Sequence, residues 1–116
     1  MYKLTVFIPD SALEPVKSAL FTAGAGKIGD YEQCCWQVKG TGQFMPLAGS
    51  QPHIGTQDTL ETVEEWCVEM VVADAYIKPV IEALKQAHPY ETPAYDVIQA
   101  LDFSDLRLII RNHQTP

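Results

Sequence analysis

Positive charge is scarce in this 116-residue chain: eight Lys and Arg stand against fifteen Asp and Glu, a net charge of −7. An acidic surface repels a phosphate backbone, so nucleic acid is excluded as a partner class. Long apolar runs are missing too. No stretch approaches the about 20 apolar residues needed to cross a bilayer. The N-terminus runs straight into Tyr2-Lys3-Leu4-Thr5-Val6 without a signal-peptide pattern, so the expectation is a cytoplasmic protein with no membrane partner. Cysteines are few and odd in number: Cys34, Cys35 and Cys67, with no CxxC spacing, exclude a zinc knuckle or a disulfide framework and read as reduced thiols. The sequence has no G-x-S-x-G, no H-E-x-x-H and no Gly-Lys-Ser/Thr phosphate loop; Gly24-Ala25-Gly26-Lys27 closes a helix rather than opening one. Nor can a base be placed beside Cys35, so it is not read as a nucleophile. What the chain does have is core-forming material, 47% hydrophobic residues against 20% charged.

That material falls into six elements. Tyr2–Ile8 reads as a strand ended by Pro9-Asp10-Ser11. Ser11 followed by Glu14 has the form of a capping box, and Leu13, Val16, Leu20 and Phe21 supply one apolar helix face. Tyr31–Val38 reads as the second strand. Residues 40–61 hold four of the seven glycines together with Pro46 and Pro52, the signature of a long excursion. Val63–Val72 follows as the third strand, Ala75–Ala87 as the second helix and Tyr95–Leu101 as the fourth strand. Phe103–Arg111 looks like a further strand in a C-terminal extension, 103–116, beyond a domain spanning 1–102.

An internal repeat runs through these elements. At an offset of 64 residues Asp10 falls on Asp74, Pro15 on Pro79, Val16 on Val80, Ala19 on Ala83, Leu20 on Leu84, Ala23 on Ala87 and Tyr31 on Tyr95. Two βαβ halves in one small chain describe an α+β, ferredoxin-like (βαβ)2 sandwich, a mainly antiparallel sheet with both helices on one face. Alternation assigns Leu4, Val6, Ile8, Cys34, Trp36, Val38, Trp66, Val68, Met70, Val72, Ile98 and Ala100 to the helix side. Trp36 and Trp66 read as core aromatics. The other face keeps Phe7, Tyr31, Cys35, Cys67, Val71, Tyr95, Val97 and Leu101, too apolar for solvent. A homo-oligomer is expected there, or else cover from the long excursion or the C-terminal segment.

The same path brings the excursion and the turn after the second helix to one end. His53, His88 and Glu91 therefore gather there. Two imidazoles and a carboxylate suit a borderline divalent cation such as zinc or copper, with an open position left over. Each residue also has a plain structural role open to it: His88 as a helix C-terminal cap, His53 as a loop-ordering residue, Glu91 as an acceptor for loop backbone.

Tyr31-Glu32-Gln33-Cys34, Gly40-Thr41-Gly42-Gln43-Phe44-Met45-Pro46, Gly49-Ser50-Gln51-Pro52-His53-Ile54-Gly55 and above all Ala87-His88-Pro89-Tyr90-Glu91-Thr92-Pro93-Ala94-Tyr95-Asp96 resemble the middle domain of the Nif-three-like family (NGG-interacting factor three, also called GTP cyclohydrolase type two). The resemblance runs from about residue 2 to 101. It implies a CutA- or PII-like ferredoxin fold and assembly as trimers or higher oligomers. It also implies that the family's two-metal site and any hydrolase activity belong to flanking domains, so this chain is expected to be a stand-alone version of the insert. Met45, where a basic residue is common, and the extension past residue 102 depart from the pattern. The expected function is a non-catalytic small-ligand binding protein holding a divalent metal with His53, His88 and Glu91. A protein-interaction or regulatory module without metal is the alternative. A hydrolase on nucleotide-type substrates is the remaining one, for which no nucleophile, base and oxyanion donor can be assembled.

Overall fold

A computed structural model of the chain describes residues 1–101. The strands are β1 (Tyr2–Pro9), β2 (Trp36–Phe44), β3 (Glu61–Val72) and β4 (Tyr95–Gln99), and the helices are α1 (Leu13–Thr22) and α2 (Ile77–Ala87). They form one sheet in the order β2-β3-β1-β4, in which every neighbouring pair is antiparallel. Both helices lie on one face, as the repeat predicts. The strand expected at Phe103–Arg111 and the rest of the 103–116 extension fall outside the described residues.

The core forms where the two helices meet the sheet. Leu4, Val6 and Ile8 of β1 and Val68, Met70 and Val72 of β3 are buried against Leu13, Val16 and Leu20 of α1 and Val80 and Leu84 of α2. These are the alternate positions of two strands and the three-and-four spacing of two helices, so the burial follows directly from side-chain periodicity. The repeat extends to detail. Each helix is preceded by a single 3-10 turn, Asp10–Ala12 and Asp74–Tyr76, again 64 residues apart.

The capping box at Ser11 does not form. Ser11 lies inside the 3-10 turn, α1 begins at Leu13, and no side chain caps it. The third residue of the helix is then Pro15, which has no N–H for a capping hydroxyl to accept. Pro79 occupies the same place in α2.

Two strands differ from the sequence expectation. β2 starts at Trp36 rather than Tyr31 and continues to Phe44, five residues into the glycine-rich stretch. Residues 26–34 are held as a loop instead. The Gly26 N–H donates to Val71 O, Cys34 N–H donates to Gly26 O, and Ile28 and Tyr31 bridge across Gly29. Gln33 lies in the left-handed region at φ 60°, which breaks the extended run.

Register also inverts the faces of β2 and β4. Val38 pairs with Cys67 and Trp36 with Glu69, so both apolar side chains stand on the open face and not toward the helices; Trp36 is 70% exposed. In β4, Leu4 pairs with Val97 and Val6 with Tyr95, which turns those two inward and leaves Ile98 outward. Trp66 keeps its inward place, donating its indole N–H to Asp10 Oδ1 at 2.8 Å.

Candidate functional site

The β2–β3 excursion, now residues 45–60, and the turn that follows α2 meet at one end of the sheet. The two are tied directly: the Gln51 N–H donates to Glu91 Oε2 at 3.0 Å. Between them lies a cleft of about 250 Å³, lined by Phe44, His53, Glu65, Tyr90, Glu91 and Thr92 among others. His53 and Glu91 both line it although 38 residues apart, as the topology implies.

His88 comes to the same end but beneath the cleft rather than on its wall. It is the residue that ends α2, its backbone N–H donating to Leu84 O. Its side chain is 5% exposed. Nε2 lies 2.7 Å from Phe7 O, and Nδ1 accepts the Tyr90 N–H at 3.1 Å. That pair of partners assigns the neutral Nε2–H tautomer, with Nε2–H donating to the Phe7 carbonyl. Burial pushes the His88 pKa below its ordinary 6.5, against the upward pull of the Phe7 hydrogen bond and the Glu65 charge, with His53 adding a smaller push downward. His88 is thus a tie between β1, the end of α2 and the following turn, more than a helix cap.

Tyr90 packs against this tie with its ring tilted to its neighbours, its centroid 4.9 Å from His88, 6.2 Å from Phe44 and 6.4 Å from His53. Its phenol oxygen is buried and has no hydrogen-bond partner among the described residues. Burial raises the phenol's pKa, and so does the Glu65 carboxylate, which stands close without completing a hydrogen bond. Glu65 and Tyr90 were not singled out in the sequence. Tyr90 lay inside a quoted motif, whereas nothing local marks Glu65, whose place depends on the register of three strands.

As a metal centre the end is incomplete in its present arrangement. Both nitrogens of His88 are engaged, and Glu91 already accepts a backbone N–H. Among the described residues no group of three His, Cys, Asp or Glu side chains is close enough to hold a metal ion. Chemically, the end offers a mainly apolar cleft with the rings of Phe44 and Tyr90, two carboxylates and one imidazole that lines it.

No family model matches the chain. It is 46% identical over 97 residues to a GTP cyclohydrolase 1 type 2 homolog of Halalkalibacterium halodurans, a match covering 84% of this chain and 26% of that protein. A homolog of the same name from Mycobacterium tuberculosis is 45% identical over 95 residues, covering 82% and 25%. Among solved structures, the Bacillus cereus protein related to NIF3 superposes with a TM-score of 0.74 at 40% identity, over 87% of this chain and 26% of that one. CutA1 from Pyrococcus horikoshii matches at a TM-score of 0.63 and 16% identity over 96% of each chain, and B. subtilis GlnK at 0.56 and 16% over 85% and 83%. The last two show the fold alone, a CutA- and PII-like form of the ferredoxin-like sandwich. The chain spans about a quarter of the length of the curated relatives it matches. By sequence and by fold, then, it is related to the Nif-three-like family through the segment that it shares with those proteins.

Proposed function

We propose that this chain is a small-ligand binding module that takes its ligand in the cleft between the β2–β3 excursion and the turn after α2, and acts without catalysis. The observation that carries this reading is the cleft itself, built from three separate parts of the chain and held open by defined ties. The titratable groups at this end hold the walls: His88 joins Phe7 to Tyr90, and Glu91 secures the excursion. The name of the relatives, GTP cyclohydrolase 1 type 2 homolog, applies to proteins about three times as long, and the cleft is not read as a nucleotide hydrolase site.

In the metal form of this reading, His53, His88 and Glu91 take zinc or copper. His88 would first have to release Phe7 O or the Tyr90 N–H. Native mass spectrometry with and without added zinc or copper tests this form. One metal per subunit, lost on His53→Ala and Glu91→Ala, supports it; an unchanged mass overturns it and leaves the cleft to another ligand.

A protein-interaction module is the second reading, favoured by the open sheet face, where Phe7, Trp36, Val38 and Ile98 are all exposed. We take its first occupant to be further copies of this chain, in a homo-oligomer read here as a trimer. Three free thiols, Cys34, Cys35 and Cys67, suit the reducing cytoplasm. A stoichiometric partner captured on the purified chain, insensitive to chelator, would favour docking over ligand binding.

A further inference from the structure

We propose that the ligand of the cleft is a small organic cation, an ammonium ion or protonated nitrogen base on a compact apolar body. The proposal rests on the cleft being a binding site and adds the class of ligand. It starts from Glu65. Three other glutamates of the sheet and helices have cationic partners: Glu69 pairs with Lys3 at 3.0 Å, Glu64 with Lys39 at 3.3 Å and Glu14 with Lys17 at 3.2 Å. Glu65 has no ion-pair partner among the described residues, although it is half-buried. Its register neighbours are Gly40 on β2 and Pro9 on β1, neither of which carries a charge.

The place of that carboxylate is kept clear by glycine. A Cβ on Gly42 would run into the carboxylate of Glu65, so the residue at 42 has to be glycine for Glu65 to sit as it does. A half-buried carboxylate without a counter-charge is costly, and a cation from outside relieves that cost.

The other walls agree. The rings of Phe44, His53 and Tyr90 surround the same space, and aromatic faces attract cations within about 6 Å. The buried Tyr90 phenol lies beside the Glu65 carboxylate on the same wall. Glu91 adds a second negative charge, and no Lys or Arg lines the cleft. A phosphate or carboxylate ligand would meet two like charges and no cation there. A bare divalent ion would find no group of three donors. At about 250 Å³ the cleft lies below the usual range for drug-sized ligands, which sets the ligand at the size of a single ring.

Three probes of one shape and different charge test this: benzylammonium, benzyl alcohol and benzoate, titrated at neutral pH into the 15N-labelled full chain. Benzylammonium is expected to shift the amides of Gln43, Glu65, Tyr90 and Glu91 saturably, with benzyl alcohol about tenfold weaker and benzoate without effect. Glu65→Gln should weaken benzylammonium by about tenfold with the melting temperature retained, and Gly42→Ala, which displaces the carboxylate, should do the same. Equal binding of benzoate or benzyl alcohol, or an unchanged affinity in Glu65→Gln, overturns the proposal. If zinc or benzyl alcohol saturates these amides and benzylammonium does not, the organic-cation assignment falls and the cleft stands. If none of these probes moves them, both fall.

Discussion

At the scale of the residue, His88 has the most consequences for its size. Its imidazole must be neutral to accept the Tyr90 N–H at Nδ1, and burial lowers its pKa below 6.5 accordingly. In the unfolded chain the same ring takes up a proton near its ordinary value. The unfolded state therefore binds more protons once the pH falls below about 6.5, and folding loses free energy from there down to the lowered folded value. The contribution is complete above pH 6.5. Urea unfolding at pH 7.5, 6.5 and 5.5 should show this loss in the wild type, and His88→Gln should flatten the His-dependent part of it. His88→Ala should cost about 2 kcal/mol or more at neutral pH, because the Phe7 carbonyl and Tyr90 N–H both lose a buried partner. A pH-independent difference between wild type and His88→Gln would contradict the neutral, doubly bonded assignment.

At the scale of the element, the turn after α1 decides where β2 can begin. Gly26 sits at φ 79°, and a Cβ there would lie 2.8 Å from Cys34 O and 2.9 Å from the Phe21 ring. Gly26→Ala should therefore destabilise the fold by about 1–3 kcal/mol, read as a lower urea midpoint with an unchanged slope. This turn also explains what the sequence could and could not disclose. The helices and inner strands were legible because their burial follows a simple period and the 64-residue repeat reinforces it, down to the matching 3-10 turns. The repeat misleads at Tyr31, which aligns with the first residue of β4 but belongs to the Gly26–Cys34 loop. The faces of Trp36, Val38 and Ile98 follow instead from pairing register, since a change of register by one residue exchanges the two sides of a strand. The gathering of His53, His88 and Glu91 at one end was legible from topology. The commitment of His88 to Phe7 and the position of Glu65 were not, because each depends on side-chain contacts between residues 81 and 23 apart, counting Gly42 as the partner of Glu65.

At the scale of the whole molecule, the sheet is asymmetric in what it covers. One face is closed by α1 and α2. The other presents Phe7, Trp36, Val38 and Ile98 with Lys3, Glu69 and Asp96 between them. The neighbours of Cys67 on that face leave its thiol pKa raised, mainly by burial and then by Glu69 and Asp96, so the thiol stays protonated and unreactive at neutral pH. If this face joins copies of the chain, Trp36→Asp combined with Val38→Asp should convert the oligomer to monomers with the circular dichroism of the fold retained. Light scattering after size exclusion gives the answer; an unchanged mass would move the interface elsewhere.

β3 outruns its neighbour on one side. It pairs with β1 only from Glu65 to Val72, while β2 accompanies it back to Glu61. Residues Thr41–Phe44 and Glu61–Glu64 thus form a two-stranded ribbon projecting past the sheet. Strand pairs supported on one edge open more readily than those held on two. Amides of the ribbon should exchange with deuterium well before those of Val6 or Val68. Gln43 and Phe44 of the cleft ride on this ribbon, whereas Glu65 stands at its root. The cleft consequently has one firm jaw and one pliant jaw, and occupancy should be recorded as slowed exchange in the pliant one alone.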